Sequence, residues 1–202
     1  MNCTNDDMTA LTDEIPTDVG YHRLLYDVAR LTPRLQDDLV RSNTLYTKYE
    51  HVLKCDAQMC TLASKQVPFW PRETPIDASW PCYARWARHC LTISSAHKII
   101  MIHRKFLWPS FTNPVFSFTR KTCIAASKII IRECRTVVEE NGPVLWIYHT
   151  FCVVASMILC LDMLFRSPSE SEHDGHWELV QDALAILSRS QTSMIAKRGV
   201  KY

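Results

Sequence analysis

The sequence predicts an all-α protein of six or seven helices with no sheet. Apolar residues recur at i, i+3/i+4 and i+7 along most of the chain, the period of a helix with one buried face. Strict apolar–polar alternation, the mark of a half-buried strand, never survives beyond a few positions. Only four glycines occur in 202 residues, so long stretches carry no turn signal.

Residues 1–16 read as an acidic, irregular lead-in. Thr17 or Asp18 offers an N-cap for a helix through Tyr21, Leu24, Leu25, Val28 and Leu31, which Pro33 is expected to end. From Arg34 to about Gln66, Leu35, Leu39, Tyr46, Tyr49, Leu53, Met59 and Ala63 trace a long amphipathic helix. "VPFWPRETPIDASWP" (67–81) has four prolines in fifteen residues and predicts a loop. Ser79 and Pro81 then stand in the order of cap and early helical proline, opening a helix that stops before Pro109. "PSFTNPVF" (109–116) predicts a second loop, followed by a helix from about Phe116 to Asn141. Gly142-Pro143 pairs a C-terminal glycine with the first-turn proline of the next helix. The organisation expected is thus a lead-in (1–16), a main helical domain (17–166), a polar loop "SPSESEHDG" (167–175) and a C-terminal helix (176–202). No internal repeat is visible.

A chain of this length with 47% hydrophobic residues can bury a sizeable core. Its net charge of +2 does not fit a generally basic nucleic-acid binder, and the charges are segregated. Residues 65–135 hold twelve Lys or Arg against three acids, and residues 136–182 hold eight acids and Arg166 alone. Such blocks more readily neutralise each other inside a fold than contact DNA. The nine cysteines form no C-x-x-C pair. Cys90, Cys123, Cys134, Cys152 and Cys160 lie among apolar residues at helical spacing, as buried free thiols do. The start, "MNCTNDDMTA", has neither a basic n-region nor an apolar h-region, so a reducing compartment, cytosol or nucleus, is expected.

Val144–Phe165 runs for 22 residues without Lys, Arg or Glu, long enough to cross a bilayer. His149, Ser156 and Asp162 inside it, and the absence of basic flanks, favour a buried core helix over a membrane span. Its small and polar residues His149, Cys152, Ser156 and Cys160 are expected to form the packing stripe. "HDGH" (173–176) has metal-ligand types but sits among loop-forming residues, with no third ligand tied to it. "QDDLV" (36–40) clusters two aspartates as a magnesium-holding motif does, yet Arg41 stands where a third acid is needed. No catalytic constellation, metal site or cofactor motif emerges, so the expectation is a non-enzyme without a cofactor.

"HKIIMIHRKFLWPSF" (97–111) poses the sharpest local question, because three basic residues follow an apolar run. At about 100° per residue, Ser94, Lys98, Met101 and Lys105 share one side. Ala96, Ile100, His103 and Leu107 share the other, with Ile99 and Phe106 beside them. His103 should therefore be a core histidine, Lys105 solvated and Arg104 on the flank, the two cations complementing the helix C-terminus.

"SSAHKIIMIHRKFLWPSFTNPVFSFTRKTCIAASKIII" (94–131) resembles the fungal-specific transcription factor domain, or middle homology region, of zinc-cluster transcription factors. "IHRKFL" (102–107), with His103, Arg104, Phe106 and Leu107, is similar to that family's HR-x-F/L helix end. "TRKTCIAASKII" (119–130), with Arg120 and Cys123, is similar to the helix that follows. "NCTNDDM…PTDVGYHRLLYDVARL" (2–31) also resembles the middle of the domain, so the likeness spans about residues 1–165 and begins inside the domain, as in a truncated factor or fragment. The resemblance implies a nuclear, non-catalytic, all-α regulatory region whose motif residues are structural. It would work with transcription machinery or a DNA-binding partner, answer to a small-molecule effector, or support homo- or heterodimers. The family's DNA reader, six cysteines around two zinc ions, has no counterpart spacing here, so direct DNA binding by this chain is not expected. Nor is membrane attachment.

Overall fold

The structure, a computed structural model, describes residues 2–3, 10–11, 17–65, 75–77, 80–143, 145–166, 171–189 and 194–200. The fold is all-α. Among the described residues six helices have nineteen residues or more: α1 (Asp18–Arg41), α2 (Leu45–Lys65), α3 (Ala84–Leu107), α5 (Ser117–Glu139), α6 (Trp146–Leu164) and α7 (Ser171–Arg189). Two short ones, α4 (Pro109–Thr112) and α8 (Met194–Gly199), complete the set, with a 3-10 turn at Pro114–Phe116. Within the lead-in, Asn2–Cys3 pairs antiparallel with Ala10–Leu11, a ladder of two residues a side. The chain forms two compact units, Met1–Leu91 and Thr92–Tyr202, whose boundary falls inside α3.

In the first unit α1 and α2 form a helical hairpin. Thr17 caps α1 as predicted, its hydroxyl accepting from Gly20 N–H at 3.1 Å. Pro33 does not end the helix. It lies inside α1 on the exposed side, where the carbonyl left without a donor can face water. Meanwhile Leu24, Val28, Leu31, Leu35 and Leu39 continue one buried stripe through it. The break comes at Ser42–Thr44, where two hydroxyls act as caps. Ser42 Oγ donates to Asp38 carbonyl at 2.7 Å, and Thr44 Oγ1 accepts from Thr47 N–H at 3.1 Å. Opposite α1, Tyr49, Val52, Cys55 and Met59 form the buried stripe of α2, with Leu53 half-buried. Burial pushes the Cys55 thiol up to about 11, Asp56 and Asp38 adding to it, so it stays a thiol. Most of the proline-rich segment, with the Ser79 cap, lies outside the described residues. The helix after it starts at Ala84, whose N–H bonds Pro81 carbonyl at 2.9 Å.

The second unit is built on α5, α6 and α7, which pack against one another. The predicted loop 109–116 is instead two tight helical turns. Pro109 sits in the first turn of α4, where its missing N–H is harmless, and Asn113 Oδ1 accepts from Val115 N–H at 3.0 Å to start the 3-10 turn. At the end of α5 the left-handed residue is Asn141 (φ 54°), not the glycine. Gly142 N–H reaches back to Val137 carbonyl at 2.8 Å and Asn141 N–H to Val138 carbonyl at 3.3 Å, a Schellman closure with asparagine in the usual glycine position. Pro143 therefore lies in the linker before α6, outside its first turn.

α6 is long and apolar enough to cross a membrane by length and composition. Its buried side is Tyr148, Cys152, Ala155, Leu159 and Asp162. The packing stripe is thus rotated from the predicted one: His149 and Cys152 belong to it, but Ser156 is half-buried and Cys160 exposed. Cys152, Ala155, Leu159 and Asp162 follow one another at helical spacing with no exposure, and Ser156 and Cys160 each fall one position beyond that row. Trp146, Met157 and Leu164 remain largely exposed. Of the other cysteines read as buried, Cys123 and Cys134 are buried and Cys90 half-buried; Cys55, Cys60, Cys82, Cys90, Cys123, Cys134, Cys152 and Cys160 are free thiols.

Residues 171–175, predicted as loop, are the first turns of α7. Glu172 and Asp174 sit where acids complement the helix N-terminus, and Gly175 continues the helix into the stripe His176, Leu179, Val180, Ala183, Ile186 and Leu187. The C-terminal helix is likewise divided, α7 ending at Arg189 and α8 packing on α6 and α7. Gly199 allows that approach, since a Cβ there would lie 2.7 Å from Val153 Cγ2.

α3 and α6 meet at one ring pair: His97 stacks on Phe151 with centroids 3.8 Å apart and planes 15° from parallel. Burial lowers the His97 pKa to about 4, Lys98 adding to the effect. A lowered folded pKa means the neutral ring is favoured in the native state. The associated stability is present above about 6.5 and is lost as pH falls toward about 4. His97→Phe is expected to flatten that loss by about 1–2 kcal/mol, allowing for solvent screening of a half-buried ring, as read from urea unfolding at several pH values.

Candidate functional site

The two stretches that carry the family resemblance are brought together in the second unit. His103, fully buried on the last turns of α3, shares a hydrogen bond of 2.9 Å between Nδ1 and Thr119 Oγ1 on α5. Three residues on, Phe106 packs on Phe116 with centroids 5.1 Å apart. Cys123, one turn after Thr119, is buried, and Leu107 is half-buried. Arg104 and Lys105 are exposed, so the helix phase read from the sequence is correct. These contacts join α3 to α5 and offer no reactive group to solvent. His103→Ala is expected to cost about 1–3 kcal/mol through the abandoned Thr119 and a small cavity. Lys105→Ala should stay within about 0.5 kcal/mol; chemical denaturation of both variants checks the pair.

Arg120 faces elsewhere. Its Nε donates to Asp162 Oδ1 at 2.6 Å, and its guanidinium carbon lies 4.7 Å over the Phe111 ring. Asp162, fully buried near the end of α6, also accepts from Arg166 Nε through Oδ2. Arg166 then reaches Glu172 on α7, NH1 to Oε2 at 2.6 Å. His176 Nδ1 lies 3.3 Å from Asp162 Oδ2, but the two share no hydrogen bond. Burial lowers the His176 pKa, Lys128 adding to it and Asp162 opposing, so the ring is neutral near pH 7. One carboxylate thus ties α5, α6 and α7 together.

Beside this network opens a cavity of about 420 Å³. Its walls come from α4 (Ser110, Phe111, Thr112), the 3-10 turn, the first turns of α5 (Ser117, Arg120, Lys121, Ile124) and the end of α6 (Phe165, Arg166). Phe111 and Phe165 stack at 4.8 Å, and Trp108 meets Phe165 edge-on at 6.0 Å, making the aromatic side. The volume falls in the range of small-molecule sites.

Chemically the arrangement presents cations, hydroxyls and an amide at the cavity wall. His176 and Asp162 are juxtaposed like a base and its orienting acid, yet both are fully buried. No hydroxyl or thiol is hydrogen-bonded to His176 among the described residues. The "HDGH" residues separate: His176 faces inward to Asp162, while His173 is half-buried, 3.8 Å from Asp174. Among the described residues no group of three His, Cys, Asp or Glu is placed to hold a metal. In the first unit Asp38, of the paired aspartates, lies 3.7 Å from His51.

Of the motif residues, then, His103, Phe106 and Cys123 are core, Arg104 and Leu107 lie at the helix end, and Arg120 belongs to the cavity. Sequence reasoning missed Asp162, Arg166, His176, Lys121 and the Phe111–Phe165 pair as a group. One signal was present: Asp162 is the only charge in the 22-residue apolar run, and a buried carboxylate requires cationic partners. Which partners it finds depends on tertiary packing. No family model, no curated protein and no solved structure matches the chain.

Proposed function

We propose that this chain is a non-catalytic regulatory and interaction region of a fungal-type transcription factor, acting in the nucleus with a DNA reader supplied by another segment or partner. One observation carries the reading. The HRKFL end of α3 and the TRKTC start of α5, the two stretches that resemble the middle homology region, meet through His103–Thr119, while Phe106 of the first packs on Phe116 in the 3-10 turn that leads into the second. Motif residues that meet in a core are what a structural signature of a helical regulatory domain calls for. A second reading, an all-α small-molecule sensor, is favoured by the cavity beside Arg120. It is compatible with the first, since a sensor can regulate transcription. An enzyme has the least support, because among the described residues no hydroxyl lining the cavity is hydrogen-bonded to a base.

The test is a tethering assay. Fused to a heterologous DNA-binding domain in a fungal cell, the chain is expected to raise or lower a reporter several-fold. Thr119→Val, which breaks the link between the motif helices, should reduce the effect at equal protein level. A correctly folded fusion that localises to the nucleus and leaves the reporter unchanged would overturn the reading.

A further inference from the structure

The cavity beside Arg120 carries an inference about ligand chemistry. The polar groups that line it divide unevenly between acceptors and donors. Asn113 Oδ1 is occupied by Val115 N–H at 3.0 Å, which leaves the side-chain NH2 as what Asn113 offers. Ser110 Oγ spends its proton on Leu107 carbonyl at 2.5 Å and Thr112 Oγ1 on Pro109 carbonyl at 3.3 Å. Arg120 commits Nε to Asp162, while its terminal NH2 groups have no partner among the described residues. Lys121 is exposed, and Ser117 carries a hydroxyl with no partner among the described residues.

The charge balance points the same way. Arg120, Arg166 and Lys121 line the wall, and among the described residues no carboxylate does. Asp162 and Glu172 offset two of the three cations, which leaves the exposed Lys121 without a carboxylate partner among the described residues. Ile124, Pro114 and Phe165 add apolar surface to the lining. A site that combines donors and cations with hydrocarbon fits an anion with an apolar body.

We infer that this cavity binds a small organic oxyanion, a phosphate monoester or carboxylate with an apolar or aromatic body, held by Arg120, Lys121, Ser117 and Asn113. Arg120 is the selective element. Asp162 fixes its Nε edge and Phe111 its plane, so the fork that remains is pre-organised for two oxygens. Lys121 adds a flexible charge at the mouth. The inference extends the effector reading above by naming the ligand class. It is measured on the purified chain, so its outcome is separate from that of the reporter assay.

Phenyl phosphate, benzoate, inorganic phosphate and benzylamine are the probes, titrated by calorimetry or by NMR of the labelled chain. At least one of phenyl phosphate and benzoate is expected to bind with Kd between about 10 μM and 1 mM; which of them binds more tightly identifies the phosphate or the carboxylate source. Lys121→Glu, on an exposed position outside the Asp162 network, should weaken that binding at least about tenfold by reversing one charge. Arg120→Lys keeps the charge, loses the fork, and should weaken it too. Benzylamine should not bind, and inorganic phosphate should bind more weakly than phenyl phosphate. Failure of both organic anions to bind below about 5 mM would overturn the inference. So would binding indifferent to Lys121→Glu, equal binding of benzylamine, or phenyl phosphate no tighter than inorganic phosphate.

Discussion

Asp162→Ala is expected to destabilise the second unit by about 3–5 kcal/mol, the cost of removing one partner from a buried ion pair. Asp162 has no exposure to solvent, while the side chains of Arg120 and Arg166 are 23% and 21% exposed. Without the carboxylate, both Nε groups lose a charge-assisted acceptor and two cations face each other across the gap. Partial access to water lets the arginines recover some solvation, which places the effect toward the lower end. Asp162→Asn keeps the shape and should recover only a minor part, because a neutral amide cannot balance two guanidinium groups. The comparison that isolates the pair is Arg120→Met with Asp162→Leu. The double variant should lose less than the sum of the singles, since it leaves neither charge alone. Urea unfolding followed by far-ultraviolet circular dichroism gives all five values. A loss below about 1 kcal/mol for Asp162→Ala would mean that the network is a solvated surface pair.

Phe106→Ala is expected to cost a further about 3–5 kcal/mol, the range for deleting a fully buried ring. Phe106 is completely buried and shares its contact with the equally buried Phe116. The two rings close the turn between α3 and α5, so the cavity left behind cannot collapse without moving the His103–Thr119 link. Phe106→Leu retains most of the buried area and should cost less, about 1–2 kcal/mol. The same denaturation series checks both. The neighbouring Leu107→Ala, at a half-buried position, serves as the reference and should cost clearly less than Phe106→Ala.

The phase of α3 was legible in the sequence because it depends only on geometry within one helix. His103, Arg104 and Lys105 are consecutive, so about 100° per residue separates them into core, flank and solvent without reference to any neighbour. Thr17 as the cap of α1 was legible for the same reason: its bond to Gly20 N–H spans three residues. Pro33 does not end α1 because a proline's local cost competes with the stripe on both sides of it. The stripe from Leu24 to Leu39 buries five side chains, and their combined apolar burial outweighs one missing hydrogen bond on an exposed face. The loop reading of 109–116 failed in the opposite sense. Two prolines in eight residues do prevent a long helix, but they are compatible with the first positions of two short ones.

By itself the sequence determined the helical class, the inward face of α3 and the separation of the charges into blocks. Each is a property of local periodicity or of composition. Tertiary structure alone decided that Arg120 of the basic block meets Asp162 and that Arg166 bridges Asp162 to Glu172. It also decided that Phe111 and Phe165 stack beside them to leave a donor-lined cavity. Arg120 and Asp162 are 42 residues apart, and no helical period relates them. What selects the pairing is the energy of a buried carboxylate, which excludes every packing of α5 against α6 that leaves Asp162 without a cation.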